Sequence, residues 1–324
     1  MAASDDKLDE AVRKLSHSDT TLTTLSLRNS KKRATEAGQL AEALKANSTL
    51  TALDFGRNLG DEVAERLAEA LSINSTLTSL QLSSNQVGDE GAGWLAKALI
   101  INSSLTYLDL MNNHVGAAGA RRLADALTIN TSLAILDLGI NLVGDVGTGW
   151  LAEALATNST LTTLFLGGNK VGDEGAGRLA KALATNSTLT ILDFSSNQVG
   201  DEGAGRLAEA LAIISTLTIL DLRYNQVGAA GARRLAEALA INSTLSTLDL
   251  RENNVGDEGA RLLAEALATN SSLTQFHLYW EPKTKLLVNA HLKRNKHNLE
   301  KQSASLFFML LPSLPFDGDN HSEA

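Results

Sequence analysis

The sequence predicts one elongated α/β domain, a curved solenoid with parallel strands on its concave face and helices on its convex face. Two observations predict this fold class. A unit of 28 residues recurs along the chain, with one residue missing from its second copy, and each copy holds a period-two segment followed by a segment of helical spacing. The ten copies start at Leu22, Leu50, Leu77, Leu105, Leu133, Leu161, Leu189, Leu217, Leu245 and Leu273.

Each copy begins with a segment that predicts a short β-strand. Its pattern is L-x-x-L-x-L-x-x-N, as in "LTYLDLMNN" at 105–113, where apolar and other residues alternate around two central leucines. We expect the closing asparagine to bond with backbone groups that the turn between copies would otherwise leave unsatisfied. These asparagines are Asn58, Asn85, Asn113, Asn141, Asn169, Asn197, Asn225 and Asn253.

Each copy continues with a segment that predicts a short helix. It reads V-G-D-E-G-A or V-G-A-A-G-A, followed by x-x-L-A-x-A-L, whose alanines and leucines recur at helical spacing. One strand and one helix cannot enclose a core, so neighbouring copies must stack. Strands lie about 4.8 Å apart and helices are about 10 Å wide, so the helical side is longer and the stack curves.

The two ends of the chain depart from the repeat. Residues 5–16 predict an amphipathic helix that covers the first copy. The basic stretch 283–301 predicts a second capping helix, with a site for an acidic partner as the alternative, and the apolar stretch 306–316 predicts a strap or a partner-binding segment. The predicted divisions are an N-terminal capping helix at 1–19, about ten repeats at 20–281, a C-terminal cap and strap at 282–316 and a disordered tail at 317–324.

The composition argues against several classes of function. The net charge of −9 disfavours binding to nucleic acid or to an anionic membrane surface. The chain has no cysteine, which excludes disulfides, thiol catalysis and cysteine zinc sites. The N-terminal segment lacks the features of a secretion signal and no apolar run could span a bilayer, so we expect a cytoplasmic protein in which the eight N-x-[ST] matches are structural.

The repeat resembles the leucine-rich repeat family. The likeness is to its 28-residue class, as found in ribonuclease inhibitor, in the repeat regions of NOD-like receptors and in the Ran GTPase-activating protein, and it covers roughly residues 20–281. The resemblance implies a horseshoe-shaped solenoid. It is far more specific for this fold than for any one function.

The side chains that lie between the strand leucines are the candidate partner-binding residues, because alternate strand residues face opposite sides of a sheet. Aspartate fills the position between the two central leucines in six copies. Either this is a habit of the repeat class, or the row is a dedicated site for basic groups. The candidates in this row are Asp109, Asp137, Asp193, Asp221 and Asp249.

Flanking positions of the concave face form two clusters that differ in chemistry. Aromatic and arginine side chains are the usual anchors of protein interfaces, and ordinary surface variation is the alternative explanation. The apolar middle cluster is Tyr107, Met111, Ile135, Ile140 and Phe165. The mixed later cluster is Arg223, Tyr224, Arg251, Glu252, Tyr279 and Trp280.

No catalytic residue, metal ligand or cofactor site is predicted. The six histidines form no H-E-x-x-H motif, and no serine lies in a G-x-S-x-G elbow. We therefore expect a non-enzymatic scaffold that binds a protein of unknown identity on its acidic concave face. Two alternatives stay open: a GTPase-activating protein that resembles the Ran activator and acts on a small GTPase, and a ligand-sensing module of a NOD-like immune-type complex.

Overall fold

The computed structural model describes residues 5–16, 20–27, 34–56, 60–279 and 282–310. Within this part, one helix precedes the first strand, and strands and helices then alternate. The strands are β1 (Thr24–Ser26), β2 (Ala52–Asp54), β3 (Ser79–Gln81), β4 (Tyr107–Asp109), β5 (Ile135–Asp137), β6 (Thr163–Phe165), β7 (Ile191–Asp193), β8 (Ile219–Asp221), β9 (Thr247–Asp249) and β10 (Gln275–His277). The helices are α1 (Asp5–Ser16), α2 (Ala34–Ala46), α3 (Gly60–Leu71), α4 (Asp89–Ile101), α5 (Ala117–Leu127), α6 (Gly144–Leu155), α7 (Asp173–Leu183), α8 (Asp201–Leu211), α9 (Ala229–Leu239), α10 (Gly256–Thr269) and α11 (Pro282–Leu310).

The strands form one parallel sheet whose spatial order is the order of the chain. The register aligns equivalent positions of successive repeats, so that Leu80 pairs with Leu53 on one side and with Leu108 on the other. Because a helix is wider than the spacing between strands, the sheet lies on the concave side and the helices on the convex side. The predicted curved solenoid is therefore confirmed.

The core is a continuous layer of leucine, valine and alanine between the sheet and the helices. In the fourth repeat Leu105, Leu108, Leu110, Val115 and Leu123 are all completely buried, and repeats three and five to nine bury their equivalents. Burying one such leucine stabilises the fold by roughly 2 kcal/mol. Leu22, Leu25 and Leu278, in the terminal repeats, are only partly buried. Since neighbouring repeats share this layer, no repeat can bury its own leucines alone.

The asparagine that closes each strand motif forms a hydrogen-bonded ladder, as the sequence predicts. Asn113 Nδ2 donates to the carbonyl oxygens of Leu82 in the preceding repeat and of Leu110 in its own, both at 2.9 Å. Its Oδ1 accepts the backbone N–H of Asn85 at 2.9 Å. Asn58 lies outside the described residues.

The asparagines of the N-x-[ST] matches form a second ladder, which lies before the strands, at their N-terminal ends. Asn130 Nδ2 donates to the carbonyls of Leu99 (2.7 Å) and Asn102 (3.0 Å) in the preceding repeat. Its Oδ1 accepts the N–H groups of Ser132 (3.0 Å) and Leu133 (2.7 Å). With their amides buried in these bonds, the asparagines are structural in the folded chain.

One repeat interrupts this second ladder. Ile214 occupies the asparagine position of the eighth repeat and is 8% exposed. Its hydrocarbon side chain cannot donate to the carbonyls of Leu183 and Asn186 or accept the N–H groups of Thr216 and Leu217. The ladder therefore has a break that the chemistry of one residue explains.

An aspartate in one repeat caps the helix of the next repeat. Asp173 Oδ1 accepts the backbone N–H groups of Gly200 at 2.7 Å and Gly203 at 2.9 Å, at the start of α8. A Cβ atom at Gly203 would lie 2.6 Å from this oxygen, so the contact requires glycine there. Asp61, Asp89, Asp145 and Asp201 make the same pair of bonds to the following repeat.

Repeats with the second wording, V-G-A-A-G-A, cannot supply this cap. Ala117 and Ala229 stand where the other repeats have aspartate, and in the repeats that follow them Gly144 and Gly256 adopt φ values of 59° and 66°. The capped glycines are instead extended, with φ near −96° at Gly200. The wording of one repeat thus sets how the next helix begins, because only glycine adopts both conformations readily.

The terminal helices pack against the two ends of the stack. Asn47, the first asparagine of the second ladder, donates to the carbonyl of Leu15 in α1 at 3.1 Å. At the other end, Arg294 Nη2 donates to the carbonyls of Leu267 (3.1 Å) and Asn270 (2.7 Å). These two carbonyls are the acceptors that a further ladder asparagine would use, so α11 continues the bonding pattern of the repeats.

Helix α11 extends to Leu310 and so includes the first part of the stretch predicted as a strap. Residues 311–324 lie outside the described part of the chain. The proposed division of the chain at 19, 281 and 316 stays a prediction.

Candidate functional site

The structure places the candidate residues on consecutive strands and on the turns that follow them. The aspartates are the third residues of their strands, Phe165 is the third residue of β6, and Tyr107 is the first residue of β4. Arg223, Arg251 and Tyr279 lie two residues beyond a strand, and Tyr224 and Glu252 lie three residues beyond. Trp280 lies outside the described residues.

Each candidate aspartate fixes the turn that follows its own strand. Its Oδ1 accepts the backbone N–H two residues further on, at distances between 2.8 and 3.0 Å. Such side-chain to backbone bonds shape the exit from the strand. Each of these five aspartates therefore has a structural role in its own repeat.

Arginines neutralise the later half of the row. Arg223 Nε lies 2.8 Å from Asp221 Oδ2 and 3.5 Å from Asp249 Oδ2, so its guanidinium bridges two carboxylates. Arg251 Nε donates to both oxygens of Asp249 at 3.0 Å. The concave face is therefore less acidic near β8 and β9 than the sequence suggests, because the compensating charges come from turn residues.

Asp137 and Asp193, in the middle of the row, differ from these two aspartates. Among the described residues, no lysine, arginine or histidine forms an ion pair with Asp137 or Asp193. The pKa of Asp137 is raised to about 6, chiefly by burial and to a smaller extent by the charges of Asp109 and Asp193, while the N–H of Gly139 opposes the shift. Burial removes water from this carboxylate and so disfavours its charged form.

Residues of the predicted middle cluster lie close together on adjoining strands of the sheet. Tyr107 pairs in register with Ile135, and Phe165 lies between Asp137 and Asp193 on the adjoining strands. Ile140 is 53% exposed and adopts a φ of 53°, a left-handed conformation that is rare for a β-branched residue. This part of the concave face therefore combines exposed apolar area with unneutralised carboxylates.

The later cluster is also brought together. Tyr279 Oη donates to Glu252 Oε1 at 2.7 Å, which raises the pKa of Tyr279. Tyr224 is 57% exposed and Tyr279 is 70% exposed. With its acids and arginines paired internally, this cluster offers aromatic area but little net charge.

Comparisons with known proteins agree with this repeat architecture. Residues 4–144 match the family model of the TMOD/LMOD leucine-rich domain. Residues 157–180, 185–208, 214–236 and 242–264 match the leucine-rich repeat model. The chain is a leucine-rich repeat protein. A comparison with curated proteins gave no match, and membership of the ribonuclease-inhibitor-like class stays a prediction.

Solved structures resemble this leucine-rich repeat protein at low sequence identity. An internalin of Listeria monocytogenes, inlF, gives a TM-score of 0.50 at 22% identity, over 80% of this chain and 67% of the internalin. Leiomodin-1 actin-binding site 2 gives 0.43 at 16% identity, over 59% of this chain and 96% of that domain. The tropomodulin C-terminal domain of Caenorhabditis elegans gives 0.40 at 14%, over 58% and 98%. The internalin likeness concerns the fold alone.

The sequence analysis missed two sets of exposed apolar residues in this leucine-rich repeat protein. Leu142 and Val146, in the fifth repeat, are 50% and 57% exposed. A row of isoleucines, one per repeat at the ends of helices, is between 57% and 70% exposed: Ile73, Ile101, Ile129, Ile213 and Ile241. Comparing the repeats position by position would have found both sets, because nearly identical repeats show where one departs from the rest.

The described residues contain no group of three or more histidine, aspartate or glutamate side chains arranged to hold a metal ion. None of the described helices has both the length and the hydrophobicity that crossing a bilayer requires.

Proposed function

We propose that this leucine-rich repeat protein is a non-enzymatic cytoplasmic scaffold that binds a protein partner on its concave strand face. The observation that carries the proposal is the surface of the middle repeats. There Asp137 and Asp193 flank Phe165 in register, without a described cation to neutralise them. A surface that combines charge with apolar area can bind another protein selectively.

The polar chemistry of the repeats supports binding over catalysis. The buried asparagines and the capping aspartates are engaged in bonds that hold successive repeats together. The candidate aspartates each give one oxygen to a backbone N–H. These amide and carboxylate groups are therefore committed to the scaffold, and the exposed side chains around them form a contact surface.

The later cluster contributes contact area in this proposal. Because Asp221 and Asp249 are paired with Arg223 and Arg251, a partner meets a nearly neutral region there. The exposed ring of Tyr224 supplies the type of side chain that anchors interfaces. Charge selectivity is then expected from the middle repeats, with the later repeats adding affinity.

The experiment compares crosslinking in native lysate for wild type and two matched double variants. Asp137→Asn with Asp193→Asn removes two concave charges but keeps the oxygen that accepts the turn N–H. Glu153→Gln with Glu237→Gln removes two charges from exposed helix positions. Mass spectrometry of the crosslinks identifies both the partner and the face that it touches.

We expect partners whose crosslinks fall on the concave face, and we expect the concave variant to lose them while the helix variant retains them. Crosslinks confined to the helices, or equal recovery by both variants, would refute the proposal. Purified actin and a panel of small GTPases are tested alongside. Actin is included because residues 4–144 match the TMOD/LMOD domain model and a solved leiomodin-1 domain is named as an actin-binding site. Small GTPases test the predicted activator role by acceleration of GTP hydrolysis.

A further inference from the structure

The fifth repeat exposes three apolar side chains within seven residues. Ile140, Leu142 and Val146 are 53%, 50% and 57% exposed and lie on the segment that leads from β5 into α6. We refer to these three residues as the repeat-five patch. Single exposed apolar residues are common on protein surfaces, but a group in one short segment marks a contact site more often.

The other repeats show that the fold does not require apolar residues at these positions. Repeats three, four and six to nine have polar residues, glycine, alanine or tyrosine in their place. At the position of Ile140 they have Ser84, Asn112, Gly168, Ser196, Tyr224 and Glu252. At the position of Leu142 they have Gln86, His114, Lys170, Gln198, Gln226 and Asn254. At the position of Val146 they have Glu90, Ala118, Glu174, Glu202, Ala230 and Glu258.

One member of the patch also carries a conformational cost. Position 140 requires a positive φ, which serine, asparagine and glycine accept more easily than isoleucine. The fifth repeat thus keeps a side chain that is less favourable for folding than the serine used in the seventh.

Acidic side chains border the patch on its concave side. Both Asp137 Oδ1 and Met111 Cγ lie within 3.5 Å of the Cβ position of Gly139, which places carboxylate and apolar surface side by side. Met111 is itself 39% exposed. Asp193 lies two strands away, at roughly 10 Å from the strand spacing of about 4.8 Å. Charge complementarity therefore favours a basic occupant.

We propose that the repeat-five patch and the adjoining strands bind an extended basic segment of a partner protein, whose apolar side chains pack on Ile140 while two basic side chains pair with Asp137 and Asp193. An extended chain advances about 3.3 Å per residue, and only alternate side chains face the same side. Basic residues four positions apart, about 13 Å, therefore face the sheet together with the residue midway between them, and their long side chains can converge on the two aspartates. This inference rests on the proposed function and specifies the chemistry of its partner.

The test uses a random twelve-residue peptide library displayed on phage, with the full chain as bait. The patch variant Ile140→Ser, Leu142→Gln, Val146→Glu copies the residues of the seventh repeat, Ser196, Gln198 and Glu202. The variant therefore keeps residues that this fold already accommodates. Unchanged or higher thermal stability shows that any lost binding is not a loss of folding.

We expect enriched peptides to contain two basic residues four positions apart, with an apolar residue midway between them. By fluorescence anisotropy, such peptides should bind the patch variant at least tenfold more weakly than wild type. The double variant Asp137→Asn, Asp193→Asn should also weaken binding by about tenfold. Both losses together support the proposed segment chemistry.

Three results would overturn the inference: no enrichment over the patch variant, enriched peptides without basic residues, or equal affinity for wild type and patch variant. If peptides instead lose binding only to Tyr224→Ala or Tyr279→Ala, the concave scaffold stands and this assignment falls. Failure of the scaffold itself is seen separately, as partners that crosslink only to the helices.

Discussion

Replacing Asp173 with alanine is expected to lower the free energy of unfolding by about 1 to 2 kcal/mol. The side chain lies in α7, but the groups that it satisfies belong to the next repeat. Its Oδ1 accepts the N–H groups of Gly200 and Gly203 at 2.7 and 2.9 Å. Two hydrogen bonds to a charged acceptor would suggest a loss of about 3 to 6 kcal/mol if both N–H groups stayed unsatisfied.

The structure itself indicates why the loss should be smaller. Where Ala117 replaces the capping aspartate, Gly144 rotates to a φ of 59° and donates to the carbonyl of Asn169 at 3.0 Å. Gly200 is free to make the same change, because glycine tolerates both conformations. Part of the lost bonding is then recovered, and the range known for N-cap substitutions applies.

The assay is urea unfolding, combined with hydrogen exchange at the start of α8. Glu174→Ala is the matched control, since Glu174 is the next residue and only pairs with Arg178 on the surface, an interaction worth less than about 0.5 kcal/mol. Faster exchange at Gly203 should accompany the destabilisation. Equal unfolding midpoints for the two variants, or unchanged exchange at Gly203, would refute the capping role.

Four further substitutions test three other features of the structure. Ile214→Asn should restore the second ladder and raise the free energy of unfolding by about 1 kcal/mol, because several hydrogen bonds of about 1 kcal/mol each outweigh the lost burial of isoleucine. Asn186→Ile should lower the free energy of unfolding by about 2 kcal/mol or more. If urea unfolding showed that both substitutions change the stability in the same direction, the role of the ladder would be contradicted. Thr148 Oγ1 is buried without a partner among the described residues, so Thr148→Val should raise the urea midpoint by an amount equivalent to about 1 kcal/mol, whereas a lower midpoint would show that the hydroxyl is satisfied. Asp137 has a pKa of about 6 in the folded chain, above the value of about 3.9 in the unfolded chain, so the folded chain binds the proton more tightly. As the pH falls from about 7.5 to about 5, the free energy of unfolding of wild type should therefore rise by about 1 to 2 kcal/mol relative to that of Asp137→Asn. A constant difference in stability between the two proteins across this pH range would contradict the shift.

Much of the fold could be predicted because the same pattern of buried and exposed positions recurs in ten repeats. The alternation around Leu108 and the helical spacing of Leu123 are local patterns, and burial follows from them directly. The ladder of Asn113 was predictable for the same reason, since a polar residue at a fixed place beside buried leucines needs backbone partners. Stacking, curvature and strand order then follow from geometry.

The character of the candidate site was not predictable to the same degree. The sequence identified the aspartate row, but only the folded turns show that Arg223 and Arg251 neutralise part of it while Asp137 stays unpaired and partly desolvated. Likewise, the conformation of Gly144 depends on Ala117, which lies 27 residues earlier in the chain.

The sequence by itself determined which residues form strands, helices and core, because periodic burial is written into each repeat. The tertiary structure alone decided which charges stay unneutralised, which glycines turn left-handed and which apolar residues remain exposed. The physical reason is that hydrophobic burial depends on a residue's place within its own repeat, whereas ionisation, capping and exposure depend on atoms that the neighbouring repeats contribute.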